Sequence, residues 1–102
     1  MSNQTKMTPE MREQLEDMRG AYPETQIFQF PDVGVTVAIT PAGNGFADIS
    51  TAYKAPDETK FRKNVGEYLV RIRWESGFSM RVKLAEENFE YFAGIIANMA
   101  VE

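Results

Sequence analysis

The chain has 102 residues, 43% apolar and 25% charged, with a net charge of −4. These are the proportions of one globular domain with a single core. It contains no cysteine and no histidine, which excludes disulfides, thiolate catalysis and cysteine-held zinc or iron–sulfur, and removes the usual general base near neutral pH and the commonest metal ligand. The acidic balance argues against a general nucleic-acid coat, though it leaves room for a local basic site.

Residues 1–7 are polar, lack an apolar signal core and read as a flexible N-terminal tail, with residues 8–102 as a single α+β domain. Thr8-Pro9-Glu10 is a helix start: a capping hydroxyl, a proline suited to the first position and an acid at the positive end of the dipole. Met11, Leu15 and Met18 then recur at helical spacing until Gly20 and Pro23. Gln26 to Phe30 reads as a short strand. Val33, Val35, Val37 and Ile39 alternate with small residues as a half-buried strand. Pro41 to Gly45 is a hairpin turn, and Phe46 to Tyr53 alternates again. Pairing Thr40 with Phe46 sets Val37 opposite Ile49 and Val33 opposite Tyr53, and it keeps Asp48 off the core side. Phe46 falls on an outer face.

Asp57 to Asn64 is assigned either a short helix capped by Asp57, with Gly66 just past its end, or an irregular loop. Tyr68, Val70, Ile72 and Trp74 alternate along a fourth strand. Glu75-Ser76-Gly77 is a three-residue connection with Gly77 at the positive-φ position. Phe78, Met80, Val82 and Leu84 alternate along a fifth strand, so that all eight share one inward face. Glu86 to Val101 forms a last helix, its apolar stripe wider than packing on one sheet requires. The expected architecture is an antiparallel sheet of about five strands in two hairpins, with the N-terminal and C-terminal helices packed on one face.

The charges are segregated. Seven cations, Lys60, Arg62, Lys63, Arg71, Arg73, Arg81 and Lys83, face only Glu67 and Glu75 in one stretch, while the flanking parts are acidic. On the predicted hairpin Arg71 lies across from Arg81, with Arg73 and Lys83 beside them. Like charges opposed across a ladder repel, so an anionic partner or the protein's own acids must offset them. Arginine suits the first, because its planar fork grips pairs of oxygens. Single-strand nucleic-acid binding also needs exposed rings, but Tyr68, Trp74 and Phe78 are predicted to point inward. The last helix, through Phe89, Phe92, Ile95, Ile96 and Met99, is the expected interface of a two-fold homodimer.

No catalytic constellation is present. The Pro41–Gly45 turn lacks the Lys-Ser/Thr and the helix of a phosphate loop. Asp48 is alone on its strand face, where it could pair with a cation, and Glu86, Glu87 and Glu90 lack a second acidic cluster to complete a metal site. No metal and no cofactor is expected, and the protein is expected not to be an enzyme.

No motif identifies a family. The element order resembles that of type III secretion chaperones, which implies a small, acidic, dimeric helper of another protein. The closing part, Tyr68 to Val101, is loosely similar to transcriptional-coactivator-type single-strand DNA-binding domains, which use a basic sheet face and a dimerising helix; Arg71, Arg73, Arg81 and Lys83 fit that pattern. The expectation is therefore a regulator, inhibitor or chaperone, of the kind that includes phage accessory proteins, docking an acidic protein surface through the basic hairpin. The alternatives are single-stranded nucleic acid on the same face, or a small anionic ligand such as a nucleotide. The longest apolar run, Phe92 to Val101, is too short to span a membrane, and the expected location is cytoplasmic.

Overall fold

A computed structural model of the chain describes residues 7–55, 58 and 60–99; the expected tail, except Met7, lies outside them. Helix α1 (Pro9–Ala21) begins as its sequence dictates, with the Thr8 hydroxyl accepting the Met11 N–H at 3.1 Å and Pro9 in the first turn. Leu15 and Met18 are its buried residues.

Strands β1 (Gln26–Phe30), β2 (Val35–Gly43) and β3 (Phe46–Tyr53) form an antiparallel meander. The predicted pairing of β2 with β3 is corrected by two residues: Ile39, not Val37, lies opposite Ile49, and Val35, not Val33, opposite Tyr53. The turn is tighter than Pro41–Gly45. Asn44 and Gly45 both have positive φ, 57° and 81°, as a two-residue hairpin loop of matching twist requires, and the bulge between Pro41 and Gly43 takes up the spare residue. A two-residue shift preserves which face each side chain takes.

The second predicted hairpin does not exist. Residues Lys63–Glu75 are helix α2, and the loop or helix expected over 57–64 is non-helical at Glu58 and Lys60–Arg62, with Asp57 outside the described residues. The alternation of Tyr68, Val70, Ile72 and Trp74 is a coincidence of a helix packed on two sides. Tyr68, Arg71 and Trp74, three apart, face α1: the Tyr68 hydroxyl donates to Gln14 Oε1, Arg71 Nη1 to the Met18 carbonyl, and the Trp74 ring meets Tyr22 edge-on at 4.4 Å. Val70, with Leu69 partly buried beside it, packs on Ala38 and Ala52 of the sheet, and Val65 is buried too. Gly77 does have positive φ, 85°, but as a helix terminator. The Gly77 N–H bonds the Trp74 carbonyl and the Phe78 N–H the Arg73 carbonyl, the paired bonds of a Schellman cap. One glycine conformation served two structures, and the strand reading took the wrong one.

Strand β4 (Met80–Lys83) then adds to β3, giving a four-stranded sheet in the order β1-β2-β3-β4. A 3-10 turn (Glu86–Asn88) leads into α3 (Phe89–Met99). The helices do not share a face. Val35, Val37, Ile39, Ala47 and Ile49 pack against Phe89, Ala93 and Ala97 of α3, whereas Ala38 and Ala52 pack against Val70 of α2. Helix α1 lies along α2. Every residue from Val35 to Thr40 is buried, as a strand covered on both faces must be. The fold is α+β with a layer of helix on each side of an antiparallel sheet. The chaperone-like order of five strands is not reproduced, and neither is the closing strand–strand–helix unit of the coactivator-like domains.

Candidate functional site

The site begins with an interrupted ladder. β4 pairs with the first half of β3 only, from Phe46↔Lys83 to Ile49↔Met80. The same register would set Phe78 opposite Thr51. The Schellman cap prevents it, because the Phe78 N–H is already held by Arg73. The Leu84 N–H bonds the Gly45 carbonyl. By the alternation of an antiparallel ladder, the odd residues of β3 turn their peptide groups towards β4. Thr51 and Tyr53 therefore present N–H and C=O groups at an edge no strand covers among the described residues. The Thr51 carbonyl is held instead by Arg73 Nη1.

This half-edge floors an open cleft of about 1140 Å³ between the C-terminal ends of α2 and α3. Ile72, Arg73 and Phe78 line it on the α2 side, Ile96 and Met99 on the α3 side, and Met80 closes the β4 end. Its walls expose more apolar surface than a solvated face needs: Phe78 is 74% exposed, Met99 67%, Met80 57% and Tyr53 53%. Large apolar side chains gathered around a concavity mark an interaction site more often than the same residues scattered singly.

The seven cations singled out in the sequence are not brought together. Arg71 is buried, 6% exposed, and its Nε donates to Glu67 at 2.9 Å. Glu67 also receives Arg19, at 2.7 and 2.9 Å, so one carboxylate ties α1 to α2. The Arg19 bond, ahead of the opposing effect of burial, holds the Glu67 carboxyl below the usual range and raises Arg19. Arg81 lies on β4 and grips Asp48 with both Nε and Nη2, at 2.8 and 3.1 Å. That bond lowers the Asp48 carboxyl. Asp48 thus finds its cation, and the Arg71–Arg81 opposition disappears with the hairpin. Lys83 is exposed across from Phe46. Lys60, Arg62 and Lys63 sit before and at the opposite end of α2. Arg73 alone of the seven reaches the cleft.

The predicted dimer residues divide similarly. Phe89 is core, 2% exposed, and Phe92 and Ile96 pack partly against that core. Ile95 and Met99 face outward with Tyr91. The aromatics also depart from expectation: Phe78 points out rather than in, while Phe46 is outward as expected. The sequence reading missed Thr51, Tyr53, Phe78 and Met80 as a group. The available signal was Gly77 read as a helix stop, which frees Phe78 from the ladder.

Among the described residues no three carboxylates are grouped to hold a metal ion, and no helix is long and apolar enough to cross a membrane. No family model, curated protein or solved structure matches the chain.

Proposed function

We propose a non-enzymatic interaction protein, a regulator, inhibitor or chaperone in kind, that holds a segment of a partner protein in the cleft between α2 and α3. The observation that carries this is the coincidence of an uncovered sheet edge with exposed Phe78, Met80, Tyr53 and Met99. The expected acidic partner keeps a narrower basis: Arg73 at the cleft rather than a seven-cation face. Replacing Phe78 and Met80 together by Ser removes apolar wall without touching the core. Affinity for short peptides selected on the native protein should fall by roughly tenfold or more, since each 1.4 kcal/mol is a factor of ten, with circular dichroism unchanged. Equal affinity of the double variant would remove the cleft from the function.

Single-stranded nucleic acid is a second reading, favoured by the exposed rings of Phe78 and Tyr53 beside Arg73. It requires binding that weakens steeply with salt, measured by oligonucleotide anisotropy. A homodimer through α3 rests on its outer residues Tyr91, Ile95 and Met99. Sedimentation across a concentration series should show association that Ile95→Asp abolishes.

A further inference from the structure

We propose that the cleft takes its partner as an added β-strand, an extended segment that pairs with Thr51 and Tyr53 of β3 and carries a carboxylate for Arg73. This rests on the reading of the cleft as a protein-binding site and specifies what fits it. The floor is the second half of β3, whose partner strand stops at Met80. β4 itself does not extend to supply the missing residues, because Gly77 and Phe78 are committed to the cap of α2. The vacant position therefore continues β4 in line, and it asks for what a strand brings: N–H and C=O groups at alternate residues. Helices and compact surfaces have none to offer, since their backbone groups are already paired.

Arg73 sets the charge. Its guanidinium occupies the Thr51 carbonyl, the acceptor that an incoming N–H would use. No carboxylate lies within ion-pair distance of it among the described residues, unlike Arg19, Arg71 and Arg81. A strand that displaces Arg73 from Thr51 leaves a forked cation at the cleft wall, matched by a carboxylate on the strand. Side chains of the added strand alternate between the two helices, as its neighbours' do. Those on the α3 side meet Tyr53, Met80 and Met99, and so are apolar. Until it is filled, Arg73 does for this edge what charged residues do for others, discouraging indiscriminate pairing.

The test uses the full chain and a displayed library of short linear peptides. Selected peptides are remade with single backbone N-methyl groups, and amide exchange is followed residue by residue. Strand addition requires that N-methylation weaken binding roughly tenfold or more at alternate positions and little between them. Exchange at Thr51 and Tyr53 must slow on binding. If the Phe78→Ser/Met80→Ser variant loses the peptides but no N-methyl position matters and Thr51 and Tyr53 exchange as before, cleft binding stands and strand addition is overturned. If that variant binds undiminished, or no peptide is selected, the cleft reading fails and takes this inference with it. Arg73→Gln should lower the affinity of Asp- or Glu-bearing peptides about tenfold and flatten their salt dependence. Unchanged affinity overturns the carboxylate requirement.

Discussion

On the α3 side of the sheet, Val35, Val37, Ile39, Ala47 and Ile49 close on Phe89, Ala93 and Ala97, a cluster without a polar side chain. On the α2 side, Ala38, Ala52 and Val70 share the interior with Thr36, Thr40, Ser50 and Arg71. There the Thr25 and Thr40 hydroxyls bond at 2.9 Å, the Ser50 hydroxyl donates to the Val70 carbonyl at 3.0 Å, and Glu67 joins Arg71 to Arg19. The first face is held by area removed from water, which is non-directional and tolerant. The second uses small side chains that admit a helix closely, and polar groups that each need a partner once buried. Gly66 shows how close: a Cβ there would come within 2.2 Å of the Thr36 hydroxyl.

If that contrast is right, the largest single loss lies on the apolar face. Phe89 is its largest fully buried side chain, and Phe89→Ala should cost about 3–5 kcal/mol through lost transfer energy and the cavity left behind. Chemical denaturation measures it. A loss below roughly 1 kcal/mol would mean that α3 contributes little to the fold.

On the polar face the largest effect belongs to Glu67. Glu67→Gln leaves Arg71 buried without its carboxylate and breaks the tie to Arg19. Losing one partner of a buried pair costs about 3–5 kcal/mol when exposure is negligible. Glu67 keeps 14% of its side-chain surface and Arg19 38%, so about 2 kcal/mol is expected here. The pH dependence has a definite sign. Glu67, held down chiefly by Arg19, and Asp48, held down chiefly by Arg81, both have folded-state values below their unfolded ones. Their contribution is complete above the unfolded carboxylate range, about pH 4–5, and is lost as the pH falls through the folded values. Glu67→Gln should flatten that acid limb; an acid limb of unchanged steepness would show that the pair does not couple to folding.

The same contrast explains what the sequence disclosed. Apolar periodicity marked α1, the three strands of the meander and α3, because each has one predominantly apolar face to bury. It failed at α2, where Arg71 is interior, Tyr68 and Trp74 face α1, Val70 faces the sheet and Ile72 lines the cleft. Periodicity reports one buried face, and a helix packed between a sheet and another helix has two. Losing α2 also lost the site. With residues 68–74 taken as a strand paired to 78–84, Phe78 had to point inward. The cations drew attention through their number, yet Arg71 and Arg81 are answered within the chain by Glu67 and Asp48, acids separated from them in sequence by very different distances. Charge segregation along a chain does not survive a fold that pairs its parts.

The smallest predicted effect is the sharpest probe of the polar face, because it uses one substitution at two places and predicts opposite signs. Thr36 and Thr40 lie on the same side of β2, 1% and 3% exposed. The Thr40 hydroxyl bonds Thr25, whereas that of Thr36, pressed against Gly66, has no hydrogen-bond partner among the described residues. Valine keeps the shape and strand preference of threonine and exchanges the hydroxyl for a methyl group. At position 40 this breaks a buried bond and strands the Thr25 hydroxyl, so Thr40→Val should cost about 1 kcal/mol. At position 36 it removes a desolvated group that gains nothing from the fold, so Thr36→Val should stabilise by about 1 kcal/mol. Paired thermal melts decide the matter. Destabilisation by both variants would mean that the Thr36 hydroxyl is satisfied, by a bound water for instance, and that this face tolerates no orphan at all.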